Sequence, residues 1–299
     1  MAMRDRLLPA LLLAAVALPA GAQDLLIRAG HVLDVDTGRM LAGRDILVRD
    51  GRVASIAASA EAVGPGLRVL DWSTLTVVPG LMDMHTHLAD EGPYGDPATP
   101  LRSNAARDAF IGARNARATL QAGFTTVRDM GGPVQGLRRA IEEGRYSGPR
   151  IFPSGAMISQ TGGHGDFRLP HEIPRAANQP LSHTEQTRTA AIADGADEVL
   201  RRAREQLMLG ATQVKLMAGG GVTSIYDPLD ATQYTPEEIR AAVAAAENWG
   251  TYVTVHAYTS RAVRISIEAG VKAIEHGQLI DEDTARLMAE KGIWWSLQP

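Results

Sequence analysis

The chain has 299 residues, of which 45% are hydrophobic, so it is long enough for one large domain or two smaller ones with a substantial core. Its formal net charge of -4 and the lack of any lysine- or arginine-rich block argue against nucleic-acid binding. It contains no cysteine, which excludes disulfide bonds and thiol chemistry.

The first 22 residues have the features of a secretory signal peptide. Arg4 and Arg6 precede an apolar run from Leu7 to Leu18, and small residues at positions 20–22 then offer a cleavage site. A membrane anchor is the alternative, but it needs about 20 apolar residues, and this run is shorter. We therefore expect an exported protein, periplasmic or secreted, with no membrane segment after cleavage of the signal.

Residues 23–78 predict a small N-terminal β module. Short strand patterns alternate there with turns, and Asp50-Gly51 is a residue pair that two-residue β-hairpins favour. We expect this module to be β-sandwich-like.

From residue 79 to residue 299, strand patterns alternate with helical segments, which predicts an α/β fold with a parallel sheet. The seven predicted strands are LMDMHTH, FTTVRDM, RIFPSGAMI, TQVKLMAG, YVTVHAY, KAIEHG and IWWSLQP. The predicted helices lie around Ala105–Gln121, Pro133–Glu143, Asp194–Leu209, Pro236–Asn248 and Arg261–Ala269. A TIM-type (β/α)8 barrel has one strand more, so we expect an incomplete barrel of about seven strands, with the eighth beyond residue 299.

Four histidines stand near the ends of these predicted strands. His85 and His87 are two residues apart in one strand, so their side chains point to the same face and can bind one ion. His256 and His276 end two consecutive strands, and a parallel barrel brings its strand ends to one mouth. Neutral imidazoles are good zinc ligands, so these four residues predict a metal site. The alternative is that they line the barrel and form only hydrogen bonds.

Lys215 lies in another of these strands, in VKLMAGGG. Burial lowers the pKa of a lysine from about 10.4 and makes its neutral amine available as a nucleophile. Reaction with carbon dioxide would give a carbamate, whose two oxygens can bridge two cations. A buried ion pair and a Schiff-base lysine are the alternatives that the residue type leaves open.

Two further residues are candidates for contact with a substrate. His164 lies in QTGGHGD, where flanking glycines would let the backbone approach a bound ligand, and it belongs to a long predicted loop from Gly162 to Ser182. Tyr226 follows the Lys215 strand and could donate a hydrogen bond to a carboxylate or an oxyanion. The alternative for Tyr226 is that its ring only covers part of a loop.

Taken together, these segments resemble the metal-dependent amidohydrolase superfamily, in the branch of imidazolonepropionase-like proteins, exported prolidases and Xaa-Arg-type dipeptidases. That branch includes amidohydrolases that hydrolyse ochratoxin. The segments that carry the resemblance are the β module, PGLMDMHTHL, GFTTVRDMGG, SQTGGHGD, VKLMAGGG, VTVHAY, AIEHG and WWSLQP.

The resemblance implies two divalent metal ions, expected to be zinc. His85 and His87 would hold one ion, His256 and His276 the other, and carboxylated Lys215 would bridge them. It also implies a proton-shuttling aspartate on the eighth strand, which is expected beyond residue 299. The chain is accordingly expected to be truncated at its C-terminus and to have little activity by itself.

The function that this implies is hydrolysis of a C–N bond in a small peptide or an N-acyl amino acid, in the manner of a dipeptidase. A mononuclear deaminase or cyclic-amide hydrolase is one alternative, and it would use His85, His87 and His276 without needing Lys215. A non-catalytic periplasmic binding protein is the other. A homo-oligomer is possible for any of the three.

Overall fold

A computed structural model describes residues 24–58, 67–91, 103–173 and 180–298 of the chain. The predicted signal peptide, residues 1–22, lies outside these ranges. The chain divides into two compact units, Met1–Pro79 and Gly80–Pro299. Within the described ranges, no helix has the length and apolar character needed to cross a membrane.

The first unit contains one four-stranded sheet, in the order β3-β2-β1-β4. Its strands are β1 (Leu25–Asp34), β2 (Arg39–Arg49), β3 (Arg52–Ala57) and β4 (Arg68–Val77). Asp50 and Gly51 join β2 to β3 and both have positive φ, 50° and 72°, as a tight hairpin turn requires, so the predicted hairpin is confirmed. A second layer of the expected sandwich remains a prediction, since the described residues of this unit form a single sheet.

The second unit is an α/β structure in which all paired strands of both sheets are parallel. A three-stranded sheet consists of β5 (Leu81–Thr86), β6 (Phe124–Asp129) and β7 (Arg150–Pro153). A six-stranded sheet, in the order β13-β12-β11-β10-β8-β9, consists of β8 (Met157–Ser159), β9 (Ala190–Ile192), β10 (Val214–Met217), β11 (Val253–Thr259), β12 (Ala273–Leu279) and β13 (Trp294–Ser296).

Seven α-helices accompany these strands in the described residues. They are α1 (Ala105–Gln121), α2 (Gln135–Glu142), α3 (His183–Gln186), α4 (Ala196–Met208), α5 (Pro236–Asn248), α6 (Ser260–Glu268) and α7 (Glu282–Lys291). The predicted bounds of α1 and α5 are confirmed. Both helices have side-chain N-caps, because the side chain of Asn104 accepts from Arg107 N and that of Thr235 accepts from Glu238 N.

The prediction of one strand over RIFPSGAMI was wrong. The structure divides it into β7 and β8, which belong to different sheets. Gly155 lies between them with φ +74°, a left-handed conformation that interrupts an extended strand. The three-residue strand β9 was also missed, because so short an apolar stretch has no periodicity to distinguish it from a loop.

The core of the second unit lies between the six-stranded sheet and its helices. Val214, Leu216, Val255 and Ile274 face the helices and are fully buried. The residues that alternate with them, Lys215, Thr254, His256 and Glu275, project from the opposite face and are also buried. One face of the sheet therefore packs into an apolar core, and the other carries buried polar side chains.

Candidate metal centre

The structure brings the four predicted histidines into one cluster. His85 and His87, at the end of β5, have ring centroids 5.3 Å apart. The ring of His276, on β12, lies 4.8 Å from that of His85 and 4.6 Å from that of His256 on β11. Side chains from strands of two different sheets therefore meet as the predicted metal site requires.

Lys215 lies beneath this cluster with only 1% of its surface exposed. Among the residues that the structure describes, none forms a hydrogen bond or an ion pair with its ammonium group. Burial lowers the pKa of Lys215 to about 8, against an opposing effect of the negative charge of Glu275 and with a further lowering by Arg128. The lysine is thus a buried amine without a direct partner.

The pKa of each clustered histidine is lowered, first of all by burial. For His87 it falls to about 4 and for His276 to about 3, and in both cases the charge of Lys215 is the second cause. The pKa values of His85 and His256 fall well below the usual range, again with a contribution from Lys215. All four imidazoles are therefore neutral near pH 7, which is the form that binds a metal ion.

Hydrogen bonds to backbone carbonyls determine which ring nitrogen of two histidines is left for a ligand. His87 Nδ1 lies 3.2 Å from the carbonyl oxygen of Gly131, and His256 Nε2 lies 2.9 Å from that of Gly220. A carbonyl oxygen only accepts, so these two nitrogens carry the protons. The lone pairs remain on Nε2 of His87 and Nδ1 of His256, ready for coordination.

His276 reaches the cluster through an unusual backbone conformation. Strand alternation would place the adjacent residues Glu275 and His276 on opposite faces. His276 instead has φ +74°, which costs a residue other than glycine about 1–2 kcal/mol and turns it out of the regular strand. The indole nitrogen of Trp295 donates a 2.6 Å hydrogen bond to the carbonyl oxygen of His276 and holds this turn. The strain is located at the residue predicted to bind metal.

The side chains fit a metal centre by their donor chemistry. Among the residues that the structure describes, no three histidine, aspartate or glutamate side chains are arranged to hold one ion as they stand. A centre with two histidines at each of two ions and a shared lysine does not require such a trio. Four neutral imidazoles and one buried amine without a direct partner are the residue types that this centre needs.

His164 joins the cluster, although its loop position alone did not require this. Its ring stacks on that of His256, with centroids 3.9 Å apart and planes inclined by 21°. Its Nδ1 lies 2.7 Å from Ser224 Oγ, and its backbone N–H donates to Gln233 Oε1 at 3.1 Å. A cavity of about 160 Å3 opens beside it, also lined by His87. His164 thus stands where a substrate could reach it.

Tyr226 has a different environment. Its side chain is 41% exposed, and its hydroxyl donates to the carbonyl oxygen of Arg168 in the neighbouring loop. No ring contact joins it to the histidines in the part of the chain that the structure describes. The structure therefore brings His164, but not Tyr226, to the cluster.

Residues 76–299 match the amidohydrolase family. The chain belongs to this family. Its relatives include ochratoxinase from Aspergillus niger, which is 34% identical over 276 residues that cover 90% of this chain and 57% of that enzyme. A prolidase complexed with N-methylphosphonate-L-proline is a solved structure similar to it, with 38% identity, a TM-score of 0.82 and coverage of 91% of this chain and 65% of that one. A Xaa-Pro dipeptidase with methionine in its active site has 33% identity, a TM-score of 0.79 and coverage of 91% and 66%.

This amidohydrolase lies in the branch that includes ochratoxinase, and the predicted resemblance is confirmed. The chain spans little more than half the length of the ochratoxinases that it matches. Members of the family are generally metal-dependent, which agrees with the donor set found here.

Sequence reasoning did not assign roles to four residues of this amidohydrolase that support the histidines. Glu275, Arg128 and Thr254 form a buried network next to His85. Asp129 is fully buried and accepts from Leu88 N at 2.7 Å and Gly131 N at 3.3 Å, which orders the backbone on both sides of the His87 hydrogen bond. A signal was present for Glu275, a charged residue that directly follows two apolar residues, Ala273 and Ile274, in a predicted strand.

Proposed function

We propose that this amidohydrolase hydrolyses the C–N bond of a peptide-like substrate or an N-acyl amino acid, as a dipeptidase does. The observation that carries the proposal is Lys215, a fully buried amine without a direct partner beneath four neutral histidines. An unpaired buried charge costs several kcal/mol and needs a reason to persist. A role of carboxylated Lys215 as a metal ligand provides that reason.

In the proposed centre His85 and His87 would hold one divalent ion, and His256 and His276 would hold a second. The neutral amine of Lys215 would add to carbon dioxide with loss of a proton, and the resulting carbamate would serve both ions, which we propose to be zinc. When bound, ions of this kind provide Lewis acidity for the amide carbonyl and acidify the attacking water. Closure of the strands of the second unit into a TIM-type barrel is part of the same proposal.

The cavity beside His87 and His164 is the proposed site for the substrate. Its wall includes apolar side chains, Met157, Phe167 and Met217, and polar ones, Ser103 and Thr189. Such a mixture suits an amino-acid side chain next to an amide group. His164 is the proposed contact to the substrate, and Tyr226 is a second candidate on the loop outside the cluster.

The nature of the relatives supports this choice of substrate. They include a prolidase, a Xaa-Pro dipeptidase and an ochratoxinase. Small dipeptides and N-acyl amino acids are therefore the first compounds to test, and ochratoxin belongs in the same screen.

We also propose export to the periplasm or the medium, on the strength of residues 1–22. Fractionation of cells that express the protein, followed by detection with an antibody, tests this.

The test of function combines metal analysis with a substrate screen of the full-length protein. We expect two ions per chain and hydrolysis of at least one dipeptide or N-acyl amino acid, with loss of activity after chelation. Lys215→Ala should remove one or both ions and the activity, whereas Lys272→Ala, at an exposed lysine, should change neither.

The outcomes separate the rivals. A Lys215→Ala variant that keeps its full metal content and its activity would favour the mononuclear deaminase or cyclic-amide hydrolase. A protein that binds peptides equally well with and without a chelator, and cleaves none, would be a binding protein.

A further inference from the structure

Glu275 lies at the centre of a buried network beside the histidine cluster. It is on β12 and its side chain has no exposed surface. Its Oε2 is 2.8 Å from His85 Nδ1. Its Oε1 accepts from Arg128 Nη2 and from Thr254 Oγ1. The two carboxylate oxygens of Glu275 thus have different partners.

The partners of Oε1 determine the orientation of the carboxylate. A guanidinium group has only donors, so Arg128 always donates to Oε1. Arg128 is itself held in place, because its Nε donates to the carbonyl oxygen of Met84 at 2.7 Å and its Nη1 to the hydroxyl of Tyr252 at 3.2 Å. Glu275 therefore cannot exchange its two oxygens without breaking a charged, buried hydrogen bond.

The remaining oxygen, Oε2, then determines the state of His85. A carboxylate that is ion-paired with a guanidinium group, as Glu275 is with Arg128, accepts hydrogen bonds and does not donate them, so the proton of this contact lies on His85 Nδ1. In a neutral imidazole the other nitrogen, Nε2, then has the lone pair. His85 Nε2 is the nitrogen that this geometry leaves for coordination.

We propose that Glu275 is a positioning residue that selects the Nδ1-protonated tautomer of His85 and so leaves Nε2 free to bind a cation. Only the second half of this statement rests on the proposed function. The tautomer of His85 is a property of the metal-free protein and can be measured whether or not the protein hydrolyses anything.

Glu275→Gln is a sharp test because the amide has nearly the same shape. Arg128 and Thr254 both donate, so the amide oxygen must face them and the amide NH2 must face His85. His85 Nδ1 then has to accept a hydrogen bond, and its proton moves to Nε2. The substitution is expected to reverse the tautomer without removing a single heavy-atom contact.

The measurement is long-range proton–nitrogen NMR on metal-free protein labelled with 15N-histidine, which distinguishes a protonated from an unprotonated ring nitrogen. The signals of His85 are assigned as those missing from a His85→Asn variant. Thr254→Val is the matched control, because it removes one donor to Oε1 and leaves Oε2 with His85. We expect Nδ1–H in the wild type and in Thr254→Val, and Nε2–H in Glu275→Gln.

A competition assay with a chelating dye provides a second readout, in which Glu275→Gln should lower the affinity for zinc about 10–100-fold. The proposal is overturned if wild-type His85 carries its proton on Nε2, or if Glu275→Gln leaves it on Nδ1. The first of these results does not depend on Glu275→Gln, so the proposal stays testable even if that variant fails to fold. An Nδ1–H tautomer in a protein that cleaves no amide would refute the proposed function and leave the role of Glu275 intact.

Discussion

Replacing Lys215 with methionine should stabilise the metal-free protein. Methionine has a similar length and no charge, so the substitution removes the burial of an ammonium group that has no direct partner. The lowering of the pKa of Lys215 from 10.5 to about 8 gives the magnitude. At about 1.4 kcal/mol per pKa unit, the folded state is destabilised by about 3 kcal/mol when the lysine is protonated.

The pH dependence follows from the direction of this change. The pKa of Lys215 is lower in the folded protein than in the unfolded chain, so the cost is complete below about pH 8. It declines as the pH rises from about 8 towards 10.5, because the folded protein has then lost a proton that the unfolded chain still holds. The advantage of Lys215→Met over the wild type should shrink over the same interval.

Urea unfolding of both proteins at about pH 7 and about pH 10, in buffer without metal or carbon dioxide, measures this difference. Lys272→Met is the control, since an exposed lysine should change the free energy of unfolding by less than about 0.5 kcal/mol. If Lys215→Met were no more stable than the wild type at about pH 7, the ammonium group would have a partner in solution and the reasoning would fail. We also expect Lys215→Met to lose metal binding, because Lys215 is proposed to serve metal binding at the cost of stability.

Two other predictions concern the surroundings of the cluster. Arg128→Met should destabilise the protein by about 3–5 kcal/mol, because it leaves the buried carboxylate of Glu275 without its cationic partner, and urea unfolding would show this. Gly163→Ala should impair hydrolysis, since a Cβ there would lie 2.6 Å from Gln233 Oε1, the acceptor that holds the backbone of His164. Gly136→Ala is the control, because a Cβ at that position in α2 meets nothing within 4 Å and should stabilise the helix by about 0.5–1 kcal/mol. If the two glycine variants had equal kcat/KM values, this would contradict the view that Gln233 positions the His164 backbone for hydrolysis.

Local patterns in the sequence determined the elements and the chemical types at the site. The helical segments that alternate with strand patterns in the sequence were sufficient to predict α1 and α5 with their observed bounds. The period of two in a strand was sufficient to place His85 and His87 on one face, and the ring contacts agree. These inferences succeed because they depend on residues within a few positions of each other.

The tertiary structure alone decided which distant groups meet. Glu275 and His276 are neighbours that alternation assigns to opposite faces, yet both reach the cluster because His276 adopts a left-handed φ held by Trp295. The break at Gly155 assigned one predicted strand to two sheets. The pairing of Glu275 with Arg128, 147 residues away, depends on the register of strands in both sheets, and no local pattern contains that information.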